Sequence, residues 1–420
     1  MLRIYNTMTR RKEAFLPRAP PVVTFFTCGP SIYQRPHLGN YRTFLYEDIF
    51  ERYLGYLGYR VERVLPFTDV EDKAIAQAEK EGMSLADLTS RVAEEFFREA
   101  CLLRMKPPTY NPRSSTTVEY SVEIIERLLE KGIAYRYGPD IYFDPLKFPL
   151  FGKLFRLDMA RWPRKKRHFR KDTYPGIRWN YGDFILWHGE RKGETVVWET
   201  RIGRGRPSWN VQDPGMVIPF LGNSIDIHAG GIDNLYRHHD YNLAIVESLT
   251  GREYARYWMH GEHLLLDGRK MSKSRGNIVY LSDLTSRGCI PDEVRFFLTY
   301  GHYRDRLNMT TEKLSEAREV LRNLKAMING ISTGAGNLPG NTPDSPVARS
   351  LEEGFGDRMN DDLDVRGAVD RIAGSLGELT DLQASGELSP GEGGAALAAL
   401  HRIDGVLQVL FPSGPADIPG

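Results

Sequence analysis

The sequence is poor in the features that would set it apart from ordinary globular proteins. It has only three cysteines in 420 residues, Cys28, Cys101 and Cys289, widely spaced and odd in number. That argues against a disulfide framework and fits a reducing, cytoplasmic setting. Excess charge is nearly absent: 56 Lys and Arg stand against 55 Asp and Glu, a net charge of +1. No global field draws in nucleic acid, so any basic footprint must be local. No run of about 18 apolar residues occurs, so no membrane span is expected. The N-terminal stretch MLRIYNTMTRRKEAF has neither the apolar segment nor the cleavage site of a signal peptide. What remains is 41% hydrophobic and 26% charged, ordinary globular values. The length predicts two or three domains.

The chain reads in α/β grammar. Residues 22–28, VVTFFTC, form a short buried strand; the Gly29–Pro30 break follows, then a helical stretch from about Tyr41 to Tyr59. A second strand, RVERVLPFT, ends at Thr68 beside the acidic Asp69, Glu71 and Asp72. Strand, turn, helix and strand in this order predict a parallel doubly wound sheet, with ligands at the strand ends where Cys28 and Thr68 fall. Helical patterns cover about 84–104 and 117–132. An insertion then interrupts the sheet, and SIDIHAGG, a helix near 236–249 and YWMHGEHLLLDG resume it. Four parts are expected: a first core half over 1–132, an inserted subdomain over 133–205, a second core half over 206–300, and a helical bundle over 301–420. Within the bundle, 331–346 reads as a flexible linker and 347–384 as one helical segment, followed by another at 393–410.

Three local patterns carry chemistry. His37-Leu38-Gly39-Asn40 stands where a turn enters a helix; the helix N-terminus favours phosphate, and Gly39 lets a nucleotide approach the backbone. Lys270 and Lys273, in KMSKS, are placed to offset charge as pyrophosphate leaves. Asp226 to Asp233, DIHAGGID, ends a strand in Gly230 and Gly231, where a nucleoside packs against backbone and Asp233 accepts from ribose hydroxyls. Each pattern alone more often marks a plain loop. The first two, about 230 residues apart with βα units between, together resemble the paired signature of class I aminoacyl-tRNA synthetases.

The opening LRIYNTMTRRKEAF, then FTCGPSIYQRPHLGNYRTF, PFTDVEDKAI, YFDPLKFPLFGKL, GRPSWNVQ, DIHAGGIDNLYRHH, KMSKSRGN and GHYRDRLNMT together resemble the cysteinyl-tRNA synthetase family, in order from residue 1 to about 330. The resemblance implies a Rossmann-like class I catalytic core, adenylate formation from an amino acid and Mg²⁺-bound ATP, and aminoacyl transfer to the acceptor end of tRNA. His37, Asn40, Lys270 and Lys273 would be catalytic. Gly29, Gly39, Gly230, Gly231 and Asp233 would join them around ATP, and Cys28, Thr68, Trp209, Asp213 and His238 would line the amino-acid pocket.

Three departures follow from the same resemblance. The family's zinc ligands, two Cys, a His and a Glu, fall on Cys28, Asp213, His238 and Asn242. Only the first and third keep their type, which leaves Cys28, Asp213 and His238 as the residual metal set and puts zinc, and selection of cysteine by it, in question. Beyond His260 the family's Asn-Gly-Phe is Gly261-Glu262-His263. The chain also stops where the family's anticodon-reading domain begins, as does the related mycothiol cysteine ligase, so a small amine or a carrier protein is an alternative acceptor, and a non-catalytic paralogue a third reading. Against that, eight of the eleven residues from Arg161 to Lys171 are basic; with Trp162 and Phe169 among them, the run suits phosphate contact and stacking on unpaired bases.

Overall fold

A computed structural model describes residues 1–169, 181–271, 275–335 and 345–412. Its centre is a four-stranded parallel sheet in the order Ala255–Gly261, Ile225–Gly231, Val22–Thr27, Arg60–Val64. The two strands of the first half and the two of the second meet along Phe25 opposite Ile227 and Thr27 opposite Ala229. That seam is a topological switch point, where a crevice opens beyond the strand ends. Cys28 closes one strand there, its amide donating to the Ala229 carbonyl at 3.0 Å, and Gly230–Gly231 close the other.

Alternation along each strand sends apolar side chains to both faces. Phe25, Ile227 and Met259 enter one core with the long helix Leu38–Tyr56 and the C-terminal helices; Phe26, Val64 and Trp258 enter a second with the inserted subdomain. The insertion is a mainly antiparallel sheet in the order Ala134–Tyr137, Asp140–Phe143, Asp183–Gly189, His168–Phe169, with Gly205–Pro207 along its third strand. A small sheet of Leu264–Leu266, Arg269–Lys270 and Leu307–Met309 carries the chain into residues 272–274.

The helices Thr311–Ala335, Pro346–Met359, Val365–Ala384 and Pro390–Leu407 pack as a bundle whose core is continuous with the sheet's. Fully buried Arg295 fastens them, with Nη2 2.6 Å from Asp48 Oδ2 and Nε donating to the Leu407 carbonyl at 2.8 Å. Two expectations are corrected. The expected linker is helical through Ala335, and 336–344 lie outside the described residues. The single helical segment expected over 347–384 is two helices, broken where Asp362 and Leu363 take φ of 63° and 59°. The break aims the buried Asp362 carboxylate at the Tyr5 amide (2.7 Å), the Tyr303 hydroxyl (2.8 Å) and Arg304 (2.7 Å). Among the described residues no helix is long and apolar enough to cross a membrane.

Candidate active site

A cleft of about 190 Å³ opens at the switch point. One wall is the start of the long helix: His37 is its N-cap, and Asn40 Oδ1 accepts from the His37 amide at 3.0 Å. A Cβ on Gly39 would stand 2.8–2.9 Å from the His37 ring, so only glycine lets the imidazole lie over the first turn. His37, Gly39, Asn40 and Thr43 all line the cleft, presenting a helix N-terminus to it. The opposite wall brings Gly231, Asp233, Asn234, His263 and Lys270. Lys270 Nζ lies 3.3 Å from Asp233 Oδ2, the two being 49% and 44% exposed. Lys273 lies outside the described residues.

The predicted residues divide between lining and support. Cys28, Gly29, His37, Gly39, Asn40, Trp209, Gly231, Asp233 and Lys270 line the cleft. Gly29 also has a packing reason, since a Cβ would fall 1.6 Å from the Pro66 carbonyl oxygen. Gly230 is buried behind Gly231, its Cα backed by the His239 ring. Thr68 is buried and bridges through the backbone to Ser31, which lines the cleft while Thr68 itself does not.

Behind Trp209 the polar groups are layered. The Trp209 and His238 rings stack at 3.7 Å with 1° between planes. His238 Nε2 lies 2.7 Å from Asp213 Oδ2, which also accepts from Asn242 Nδ2 at 3.0 Å. So Asp213 and Asn242, at two of the family's four metal positions, are joined by one hydrogen bond, which leaves Asn242 Oδ1 buried without a partner. The atoms that do converge belong to Cys28, His238 and His239, whose donor atoms lie within 4.8 Å of one another. Both ring nitrogens of His238 and Nε2 of His239 are buried and lack a hydrogen-bond partner. The residues present therefore fit a metal ion, through a set different from the one expected.

Burial dominates the electrostatics. It pushes the Cys28 thiol up, aided by Asp213 and opposed by the Asn234 amide, which donates to Sγ at 3.4 Å. It holds His228 and His239 well below the usual imidazole range and His260 at about 3, so these rings are neutral. A neutral chain runs inward, His239 Nδ1 to His260 Nε2 at 2.8 Å and His260 Nδ1 to Thr7 Oγ1 at 2.9 Å.

Residues 15–319 match the family model described as the tRNA synthetases class I (C) catalytic domain. The chain belongs to the class I tRNA synthetase family. It is similar to the cysteine–tRNA ligase of Chlamydia pneumoniae, with 39% identity covering 97% of this chain and 86% of that protein, and to that of Chlamydia muridarum, with 37% identity covering 100% and 90%. The synthetase fold is shared with Mycobacterium tuberculosis methionyl-tRNA synthetase bound by methionyl-adenylate, at 17% identity and a TM-score of 0.67 over 92% of each chain. A LeuRS–tRNA–LeuAMS complex from Agrobacterium radiobacter has the same fold, at 12% identity and a TM-score of 0.64, covering 94% of this chain and 85% of that one.

Sequence reasoning missed His239, His260 and Asn234. The doubled histidine at 238–239 was the one available signal for the first. The Gly261 departure gains an account: a Cβ there would meet the Tyr46 ring at 2.5 Å, and Tyr46 donates its hydroxyl proton to the Gly230 carbonyl at 2.9 Å. The synthetase's basic run is also corrected. Trp162 is 4% exposed and packs on Phe151 and Tyr181, so it cannot stack on bases. Lys166 pairs with Asp144 and Asp183, and His168 stacks on Tyr137 at 4.1 Å. Arg161, Arg164, Lys165 and Arg167 remain exposed; Arg170 and Lys171 lie outside the described residues.

Proposed function

We propose that the chain activates cysteine with ATP and transfers the cysteinyl group to the acceptor end of tRNA. The observation that carries this reading is the convergence on one cleft of a helix N-terminus, Gly231 with Asp233, Lys270, and the Cys28–Trp209 wall. ATP is read as lying with its phosphates at His37, Gly39 and Asn40 and its ribose at Asp233, with Mg²⁺ accompanying the phosphates. Lys270 then leaves Asp233 for the phosphates, and Lys273, three residues on in sequence, is read as joining it there.

The reaction has two displacements. A carboxylate oxygen of the amino acid attacks the α-phosphorus and the bond to pyrophosphate breaks. A ribose hydroxyl of tRNA then attacks the acyl carbon and AMP departs. The protein's contribution is positioning and electrostatics: helix N–H groups, His37, Asn40 and the lysines face charge that grows in the transition state. No side chain forms a covalent intermediate. Metal behind Trp209 would supply a binding site for the substrate thiol, held by Cys28 and His238 with their neighbours. The exposed Arg161, Arg164, Lys165 and Arg167 are the candidates for phosphate contact with tRNA. The reading assigns adenylation to 1–132 and 206–300, acceptor contact to 133–205 and docking of the core to 301–420.

Charging of total tRNA with labelled cysteine tests the acceptor. Label on tRNA supports the proposal. Adenylate formation with label appearing only on a small amine or a carrier protein would refute it in favour of a ligase with another acceptor.

A further inference from the structure

Gly230 and Gly231 end the strand Ile225–Gly231, and one side chain outside the cleft lining holds that end. The Tyr46 hydroxyl donates to the Gly230 carbonyl at 2.9 Å and accepts from the Gly230 amide at 3.2 Å. The Met259 carbonyl of the neighbouring strand lies 3.4 Å from the same oxygen. Tyr46 is buried, and burial, reinforced by Glu47, pushes its phenol well up, so the hydroxyl keeps the proton it donates. Its ring has room because residue 261 is glycine: a Cβ there would stand 2.5 Å from Tyr46 Cε1 and 2.9 Å from Cδ1. The departure from the family's Asn-Gly-Phe thus opens the seat that Tyr46 fills.

The same ring is held from behind by the C-terminal helices. Tyr303 stacks on it with 5.0 Å between centroids and 22° between planes. The Tyr303 hydroxyl donates to Asp362 Oδ1 at 2.8 Å. Its carbonyl accepts from the Glu262 amide at 2.8 Å, one residue before cleft-lining His263. Asp362 and Leu363 both take left-handed backbone where Pro346–Met359 breaks from Val365–Ala384, a geometry uncommon without glycine. The Tyr5 amide and Arg304 hold Asp362 there. Leu363 and Val365 line a small cavity together with Tyr46 and Tyr303. Buried contacts therefore run continuously from the helix break to the Gly230 backbone.

We propose that Tyr46 is a positioning residue for ATP: its hydroxyl fixes the Gly230–Gly231 strand end, and Tyr303 with Asp362 makes that hold depend on the docking of the C-terminal helices. Tyr46 is not among the residues lining the cleft, so it acts through Gly231 and Asp233. Without its hydroxyl the buried Gly230 amide and carbonyl lose that partner, and the strand end relaxes to recover one. The nucleoside surface moves with it, while Cys28 and Trp209 stand on other elements. ATP binding suffers and amino-acid binding is spared. The inference rests on the proposed placing of ATP at Gly231 and Asp233, and adds the groups that hold that surface in place.

Equilibrium dialysis of the full chain with labelled ATP and Mg²⁺, without amino acid, tests it beside ATP–pyrophosphate exchange and denaturation midpoints. Tyr46→Phe keeps the ring, its stack and its seat, and removes only the oxygen. Its ATP dissociation constant should rise about tenfold, with KM for cysteine within about twofold of wild type. Tyr303→Phe, which cuts the bond to Asp362, should weaken ATP binding about threefold, and the double variant should bind no more weakly than Tyr46→Phe alone. Equal loss of ATP and cysteine binding would mark a structural role only and overturn the inference. Unchanged ATP affinity in folded Tyr303→Phe, or multiplied losses in the double variant, would overturn the link to the helices. ATP bound by the wild type and equally well by Tyr46→Phe refutes the positioning role alone; a wild type that binds no ATP refutes the functional reading and this inference with it.

Discussion

Replacing Lys270 by alanine separates stability from catalysis. In the free protein Lys270 touches Asp233 at 3.3 Å, with both side chains close to half exposed. A pair so exposed contributes about 0–1 kcal/mol, so the denaturant midpoint of Lys270→Ala should barely move. On the phosphates the same cation faces charge that develops only as pyrophosphate leaves. Removal of one such group costs about 10²–10³ in kcat, or about 2.7–4 kcal/mol. Removing Lys270 also frees Asp233, so ATP loses a phosphate contact but no longer competes for the ribose acceptor. KM for ATP should therefore change far less than kcat. The assay is steady-state ATP–pyrophosphate exchange beside equilibrium denaturation. An unchanged kcat with a tenfold higher KM would mean uniform binding instead of transition-state stabilisation and would refute the assignment. A stability loss above about 2 kcal/mol would refute the reading of the pair as solvent-screened.

Three further outcomes are expected. Burial raises the Glu47 carboxyl well above its usual range, with Arg63 opposing, and neither oxygen has a hydrogen-bond partner. A folded pKa above the unfolded one contributes stability fully below the unfolded value and loses it as pH rises, at about 1.4 kcal/mol per pH unit between the two. Glu47→Gln should thus raise the denaturation midpoint at pH 8 and leave it nearly unchanged at pH 4; an equal effect at both would sink the argument. Gly29→Ala must displace the Pro66 carbonyl, and denaturant titration should show a loss at or above the usual ~1–3 kcal/mol for overpacking; an unaltered midpoint would show that the backbone yields freely. Gly230→Ala should push His239 off Cys28 and weaken zinc binding at least tenfold by competition with a chelating dye, a prediction that equal affinity would defeat.

What was legible in the sequence was local. The His37–Asn40 turn, the glycines at 230–231 and Lys270 each rest on short spacings, and the parallel sheet rests on β-branched runs between helical patterns. What was illegible depends on contacts between distant residues. Asp213 reads as a metal ligand from its position alone. Its carboxylate turns out to face His238 and Asn242, 25 and 29 residues on. His239 escaped notice because regular helix geometry points neighbouring residues apart; in the fold a kink at Tyr236–Arg237 precedes the pair, and a nitrogen of each ring lies within 4.8 Å of Cys28 Sγ. Trp162 looked like a stacking surface because its basic neighbours were visible and its partners Phe151 and Tyr181 were not. The helix break at Asp362–Leu363 carries no glycine or proline; it follows from a carboxylate that serves Tyr5 and Tyr303, far away in the chain.

The central claim is adenylation of cysteine in the switch-point cleft. Amino-acid-dependent ATP–pyrophosphate exchange, run with each of the twenty amino acids, with and without zinc, tests it most directly. The account predicts exchange with cysteine alone, abolished by chelation and restored by zinc. Exchange with a different amino acid irrespective of zinc, or with none of the twenty, would contradict it.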